Sequence, residues 1–344
     1  MSDDVWAEAE EIACVGVERP HLVILGAGAS LAAFPSGERN GKKLPVMRDF
    51  AEVLGLDALL GKSGIPGPYD DFEALFSDIS QDEGKGLLRM ELERLVYEYF
   101  ADLELPDEPT LYDHLILSLR EKDAIATFNW DPFLAQAASR NSEFAPIPDV
   151  LFLHGNVAFG YCPKCRTSYP LQHWCPAGHG ELCKSPLLYP LKRKDYQVDE
   201  AIASHWRRFD FHLKRAWALT IFGYGAPRTD VEAVQRMKTA WGETHQRRLE
   251  ETEILDIRDE EELASTWAPF IHSHHCTIQR SFYQSYIAQF PRRSGEALWA
   301  QLLDCKWLDP HVFPVNASFT ELYDWLQPRI DVEREHARSQ ARLL

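Results

Sequence analysis

The sequence predicts an α/β protein: a parallel sheet with helices on both faces, a small inserted cysteine-rich module and a helical C-terminal layer. Three observations carry that prediction. Short, largely apolar runs recur along the chain and end in glycine or polar residues, which is how strands buried on both faces of a parallel sheet read. Between them, apolar residues recur at helical spacing. Four of the seven cysteines crowd into residues 162–183.

In order, the runs at 22–25, 124–128, 150–153, 218–222 and 254–257 are the expected strands. Leu88, Leu92, Leu95, Val96 and Tyr99 share one helical face, and Thr110 with Asp113 forms an N-terminal cap ahead of Leu115 and Leu119. Stretches 36–45 and 64–71 read as loops, 160–190 as an inserted module, and the charged residues 331–344 as a surface helix or frayed tail.

Composition narrows the function. A chain of 344 residues, 45% hydrophobic, buries a large core. Its net charge of −17, from 36 basic and 53 acidic residues, repels phosphate backbones, so direct nucleic-acid binding is not expected. No apolar run is long enough to span a bilayer and the acidic start carries no signal-like segment, which places the expectation in the cytoplasm, without a membrane. Cysteines clustered in such a chain favour metal over disulfides.

Four stretches carry chemistry. In "LVILGAGAS" (22–30) a strand delivers Gly26, Ala27 and Gly28 into a helix, a turn that lets backbone approach a pyrophosphate; the alternative is a tight turn without ligand. "TFNWD" (127–131) puts Asn129 and Asp131 at a strand end, where the amide holds a ribose hydroxyl or a water and the carboxylate meets a carboxamide, unless both cap the next helix. "LFLHG" (151–155) ends a third strand in His154, a candidate proton acceptor or an ordinary hydrogen-bonded histidine. "CPKC" with "CPAGHGELC" places Cys162, Cys165 and Cys175 as ligands of a structural Zn²⁺, with Cys183 or His179 as the fourth and His173 a weaker candidate; the alternative is reduced surface thiols.

Taken in order with "FGYGAPRTD" (222–230), these stretches resemble the sirtuin superfamily, whose members join a Rossmann-like NAD domain to a small zinc domain. The resemblance covers roughly residues 22–230. It implies that Gly26, Ala27, Gly28 and Ser30 line the pyrophosphate of NAD, that Asn129 and Asp131 address ribose and nicotinamide, that His154 is catalytic, and that Gly223, Tyr224 and Gly225 meet the phosphate or adenosine side. Thr229 and Asp230 complete the last motif or cap a helix. The implied organisation is an acidic N-terminal segment (1–21), an NAD-binding catalytic domain (22–230) with its zinc module (160–190), a C-terminal extension (231–330) and a charged tail (331–344).

Departures from the deacylases point elsewhere. The Asp-Phe-Arg expected after the glycine motif is missing, leaving Arg39 or Arg48 as substitutes, and the peptide-pairing stretch is replaced by Leu188, Tyr189, Pro190 and the basic residues 192–194. The "GYGAPRTD" form is similar to bacterial sirtuin-like proteins that destroy NAD in antiphage defence, several of which work with an Argonaute or a translocase-like ATPase. The resemblance therefore implies an NAD⁺ glycohydrolase gated by such a partner or by self-assembly; the alternatives are an NAD-dependent protein deacylase and a non-catalytic module that binds NAD or ADP-ribose. Beyond Asp230, His272, His274, His275 and Cys276 imitate a metal site whose adjacent histidines face apart, while Arg292 and Arg293 are expected to be solvated or paired with acidic groups.

Overall fold

The computed structural model describes residues 5–165, 167–170, 174–190, 200–227 and 230–342. His173, Thr229 and the basic residues 192–194 lie outside the described residues. The strands, in chain order, are β1 (Val5–Trp6), β2 (His21–Leu25), β3 (Ala124–Thr127), β4 (Asp149–Phe152), β5 (Phe159–Cys162), β6 (Thr167–Pro170), β7 (Cys183–Lys184), β8 (Ala218–Phe222), β9 (Glu251–Leu255), β10 (Cys276–Gln279) and β11 (Trp307–Leu308).

Six of them form one parallel sheet in the order β10-β9-β8-β2-β3-β4. The chain enters at the centre on β2, moves outward through β3 and β4, then returns to β8 and runs outward the other way. Between β2 and β8 the winding reverses, and in open α/β sheets ligands bind at that point, beyond the carboxyl ends of the strands. Alternation sends Val23 and Leu25 into one apolar core and Leu22 and Ile24 into the other, so both faces are covered by helices.

Register decides what converges at the cleft. Leu25 pairs with Thr127 and Phe222, Thr127 with Phe152, and Phe222 with Leu255. These residues form one row across the sheet, so Gly26, Asn129, His154, Gly223 and Asp256 all emerge just past it.

The expected helix around Leu92 spans Gly86–Ala101, and Thr110 caps the helix Leu111–Leu117 as read, its backbone N–H donating to Asp113 Oδ2 at 2.7 Å. The sheet runs past Asp230: β9 takes in part of the run expected at 254–257, and β10 adds a strand that was not expected, within the region read as a helical layer. Glu251, Thr252 and Glu253 fill the first half of β9, which shortened its apolar run in the sequence. The last helix, Phe319–Ala341, packs through Leu322, Leu326 and Ile330 against Leu117 and Ala145. Arg292 and Arg293 are not solvated; both are buried and pair with Glu333 on that helix, at 2.6 and 2.5 Å. Among the described residues no helix is long and apolar enough to cross a membrane.

Candidate functional site

Two glycine loops meet at the switch point. Gly223 adopts φ +61°, and a Cβ there would lie 2.4 Å from Ala29 N; one on Gly26 would lie 2.5 Å from Gly223 O. Side chains at either position are excluded by backbone. Gly28 N–H donates to Gly223 O at 3.0 Å, which locks the loops together. Beyond them opens a cleft of about 530 Å³. Gly26, Ala27, Gly28, Gly223, Tyr224 and Gly225 line one part, Asn129, Asp131 and His154 another, and Leu31, Leu44, Phe50, Phe100 and Trp130 form an apolar lobe.

Asn129 is fixed without ambiguity. Its Nδ2 donates to Gly26 O and to Ser30 Oγ, both at 3.0 Å, and because a backbone carbonyl only accepts, the amide cannot be flipped. Its Oδ1 is then the acceptor left for a hydroxyl or water. Asn129 is turned to the glycine loop rather than to the following helix, and Asp131 Oδ2 accepts from Ser30 Oγ at 2.7 Å while the amide of Phe133, at the start of that helix, also acts on its carboxylate. Burial raises the Asp131 carboxyl to about 6, against the opposing effect of Ser30 and of backbone amides.

Ser30 lies on the cleft, yet its hydroxyl is spent. It donates to Asp131, and accepts from Asn129 and from Tyr112 O–H at 2.6 Å. One donor and two acceptor sites are all it has. It organises Asn129 and Asp131 from its place on the cleft lining.

His154 follows β4 and is buried. Its backbone carbonyl accepts from Leu188 N at 2.9 Å, and the Leu153 carbonyl accepts from Trp206 Nε1 at 3.0 Å. Gly155 then turns at φ +78°, where a Cβ would lie 2.1 Å from Pro186 O. Phe128 meets the imidazole edge to face at 4.8 Å, and Tyr224 stacks on Phe128 at 4.0 Å. Asp230 is buried beside them, Oδ1 being 3.6 Å from His154 Nε2 and Oδ2 accepting from Tyr224 O–H at 2.9 Å.

Sequence reasoning missed the approach of Asp230 to His154, a contact across 76 residues with no local signature. It also missed Asp256 and Arg258, which reach the cleft at the end of β9 and pair with each other at 2.9 Å. Their position after the apolar Ile254 and Leu255 was the available signal. Asn156, also unforeseen, donates to the Asp131 carbonyl at 2.6 Å and steadies the loop between the two catalytic candidates. Arg48 lies on the cleft, whereas Arg39 pairs with Asp107 at the surface.

The cysteine module folds as the antiparallel sheet β6-β5-β7. Cys162, Cys165, Cys175 and His179 come together, their ligand atoms all within 4.8 Å of one another. His179 Nδ1 lies 3.6, 3.1 and 3.7 Å from the three sulfurs. Zn–S bonds of about 2.3 Å in a tetrahedron require ligand separations near 3.8 Å, so three thiolates and one imidazole fit Zn²⁺ with no open position. Cys183 is not in the group. It pairs with Tyr161 across β5 and β7, and directly opposed residues share a face, whereas Cys162, the next residue after Tyr161, points to the other. The histidines at 272, 274 and 275 form no such group among the described residues.

The fold and cleft define a doubly wound α/β protein with a ligand crevice at its switch point. The chain matches no protein-family model and no curated protein. Among solved structures it is similar to a Sir2 homologue in complex with NAD, with 16% identity over 84% of this chain and 93% of that one and a TM-score of 0.41. It is also similar to Sir2 bound to an inhibitor, 2′-O-acetyl-ADP-ribose and a deacetylated peptide (15% identity, 83% and 94% covered, TM-score 0.38).

Proposed function

We propose that this chain is an NAD⁺ glycohydrolase, releasing nicotinamide and ADP-ribose. The observation that carries the reading is the convergence of Asn129 and His154 on one cleft at the switch point, opposite the interlocked glycine loops. The apolar lobe takes the nicotinamide ring, and the glycine loops take the pyrophosphate side. The bond between nicotinamide nitrogen and ribose C1′ breaks, its electron pair leaving with nicotinamide, while water forms the new C1′–O bond. Asn129 Oδ1 accepts a hydrogen bond from that water or from the ribose, and His154 takes the proton lost from water. Asp131, largely ionised at neutral pH, opposes the positive charge developing on the ribose. Zn²⁺ in the Cys3His group holds the module together and takes no part in the reaction.

The motif "FGYGAPRTD" supports placing this activity in NAD-depleting antiphage defence, gated by an ATPase, translocase or Argonaute-type partner or by self-assembly. The test is to incubate the full chain with NAD⁺, with and without an acetylated peptide, over a wide protein concentration range. Nicotinamide release independent of peptide is expected, rising per molecule with protein concentration if self-assembly is the gate. Release only with deacetylation makes it a deacylase, and binding without turnover under every condition makes it a non-catalytic module.

A further inference from the structure

We infer that Asp230 is the positioning residue of His154, fixing the tautomer in which Nε2 carries the proton. This inference rests on the glycohydrolase reading for its chemistry but on geometry alone for the pairing. Asp230 occupies the N-cap position of the helix Val231–Trp241, where an aspartate ordinarily accepts from the first-turn amides, yet it makes no such bond. Its carboxylate is aimed instead at the tyrosine and the histidine: Oδ2 accepts from Tyr224 O–H at 2.9 Å, and Oδ1 stands 3.6 Å from His154 Nε2. Both residues are buried, at 2% and 5% exposure, so the carboxylate acts on the imidazole through little water.

A carboxylate that only accepts selects the Nε2–H form, because the opposite tautomer would set a lone pair against it. The carboxylate also stabilises the imidazolium formed when His154 takes the proton. Tyr224, stacked on Phe128, holds Asp230 in line, so the aromatic pair forms a rigid wall behind the base. The ionisable groups that share the cleft with His154 are Asp131 beyond β3 and Glu73, Arg48, Asp256 and Arg258, while His205, on the helix Glu200–Arg215, lies against Phe152 of β4.

The experiment is ¹⁵N-histidine NMR on the full chain, with the His154 signal assigned by its loss in His154→Gln. The wild type should show the Nε2–H tautomer. Asp230→Asn should lower the His154 titration midpoint by about one pH unit and mix the tautomers. Nicotinamide release should fall roughly 10²- to 10⁴-fold with an unchanged melt, and the acid limb of the pH profile should move with the midpoint. Tyr224→Phe keeps the stack and should cost less than about tenfold, a second variant should Asp230→Asn not fold. An Nδ1–H tautomer in the wild type, or an unmoved His154 titration in Asp230→Asn, overturns the inference. The predicted tautomer and shift without any NAD cleavage would sustain the pairing and overturn the glycohydrolase reading instead.

Discussion

Buried polar side chains lie both at the cleft, past the ends of β3 and β4, and below it on β2, β8 and β9, and the two groups are built oppositely. Below the cleft, His21 Nδ1 bonds Ser294 Oγ at 2.8 Å and its Nε2 bonds Thr220 Oγ1 at 2.7 Å, while Thr220 donates to Glu253 at 3.1 Å. Burial pushes His21 down to about 4 and Glu253 up to about 8, so near pH 7 both are largely neutral. This chain closes on itself. At the cleft, Asn129 keeps an unspent acceptor and Asp131 keeps its charge. Burial of ionisable groups alone therefore does not mark function in this molecule; what marks it is capacity left over at the strand ends.

The sharpest way to break that contrast is substitution at each group. Asn129→Ala and His154→Ala should each lower nicotinamide release by on the order of 10³-fold with little change in melting temperature. Thr220→Val, below the cleft, should leave turnover intact and lower stability by about 1–3 kcal/mol, because Glu253 and His21 lose a buried partner. Equal losses of turnover from both groups would remove the distinction.

The metal module sharpens a different side of it, since its polar groups are spent on an ion rather than on one another. Cys162→Ser and His179→Ala should lose about one bound zinc per chain, measured by metal analysis, and loosen the β5–β7 sheet. Cys183→Ser should keep the metal. Zinc lost from Cys183→Ser but retained in His179→Ala would reverse the ligand assignment.

These cases also show how far the sequence was legible. Five of the six strands of the main sheet were readable because both faces of the sheet are apolar, whereas the half-buried edge strand β10 was not; the module was readable because its first three ligands sit at local spacing. The fourth ligand was not, since choosing between His179 and Cys183 depends on which face of β7 a side chain takes, and that is set by pairing with β5. At the cleft, Asn129, Asp131 and His154 were readable as strand ends. The pairing of Asp230 with His154 and the filling of the Ser30 hydroxyl were not, because both depend on register across the sheet rather than on neighbours in sequence.

A pH prediction follows from the lower group. Glu253 and Glu251 are raised by burial to about 8 and about 7, above their unfolded values near 4.5. Folding therefore takes up protons between those limits, and the stability they contribute is full below about pH 4.5 and lost as pH rises through 7 to 8. Melts between pH 5 and 9 should show that decline, by at most about 1.4 kcal/mol per pH unit for each group. Glu253→Gln should flatten it, and an unchanged slope would place its origin elsewhere.

The smallest expected effect separates two arginines. Arg48 is exposed, lies on the cleft and makes no ion pair among the described residues. The other cleft cation, Arg258, is already held by Asp256 at 2.9 Å and Glu262 at 3.4 Å. With Asp131, Asp256 and Glu73 also on the lining, a doubly charged pyrophosphate gains most from the uncommitted guanidinium. Solvent screens an exposed contact, so Arg48→Ala should raise KM for NAD⁺ only about two- to tenfold, with kcat nearly unchanged and the effect shrinking in high salt. Arg39→Ala should change neither constant, because Arg39 is bound to Asp107 at 2.9 Å away from the cleft. A larger KM effect from Arg39 than from Arg48 would mean that the loop between them rearranges on binding and that the free cleft is not the one the substrate meets.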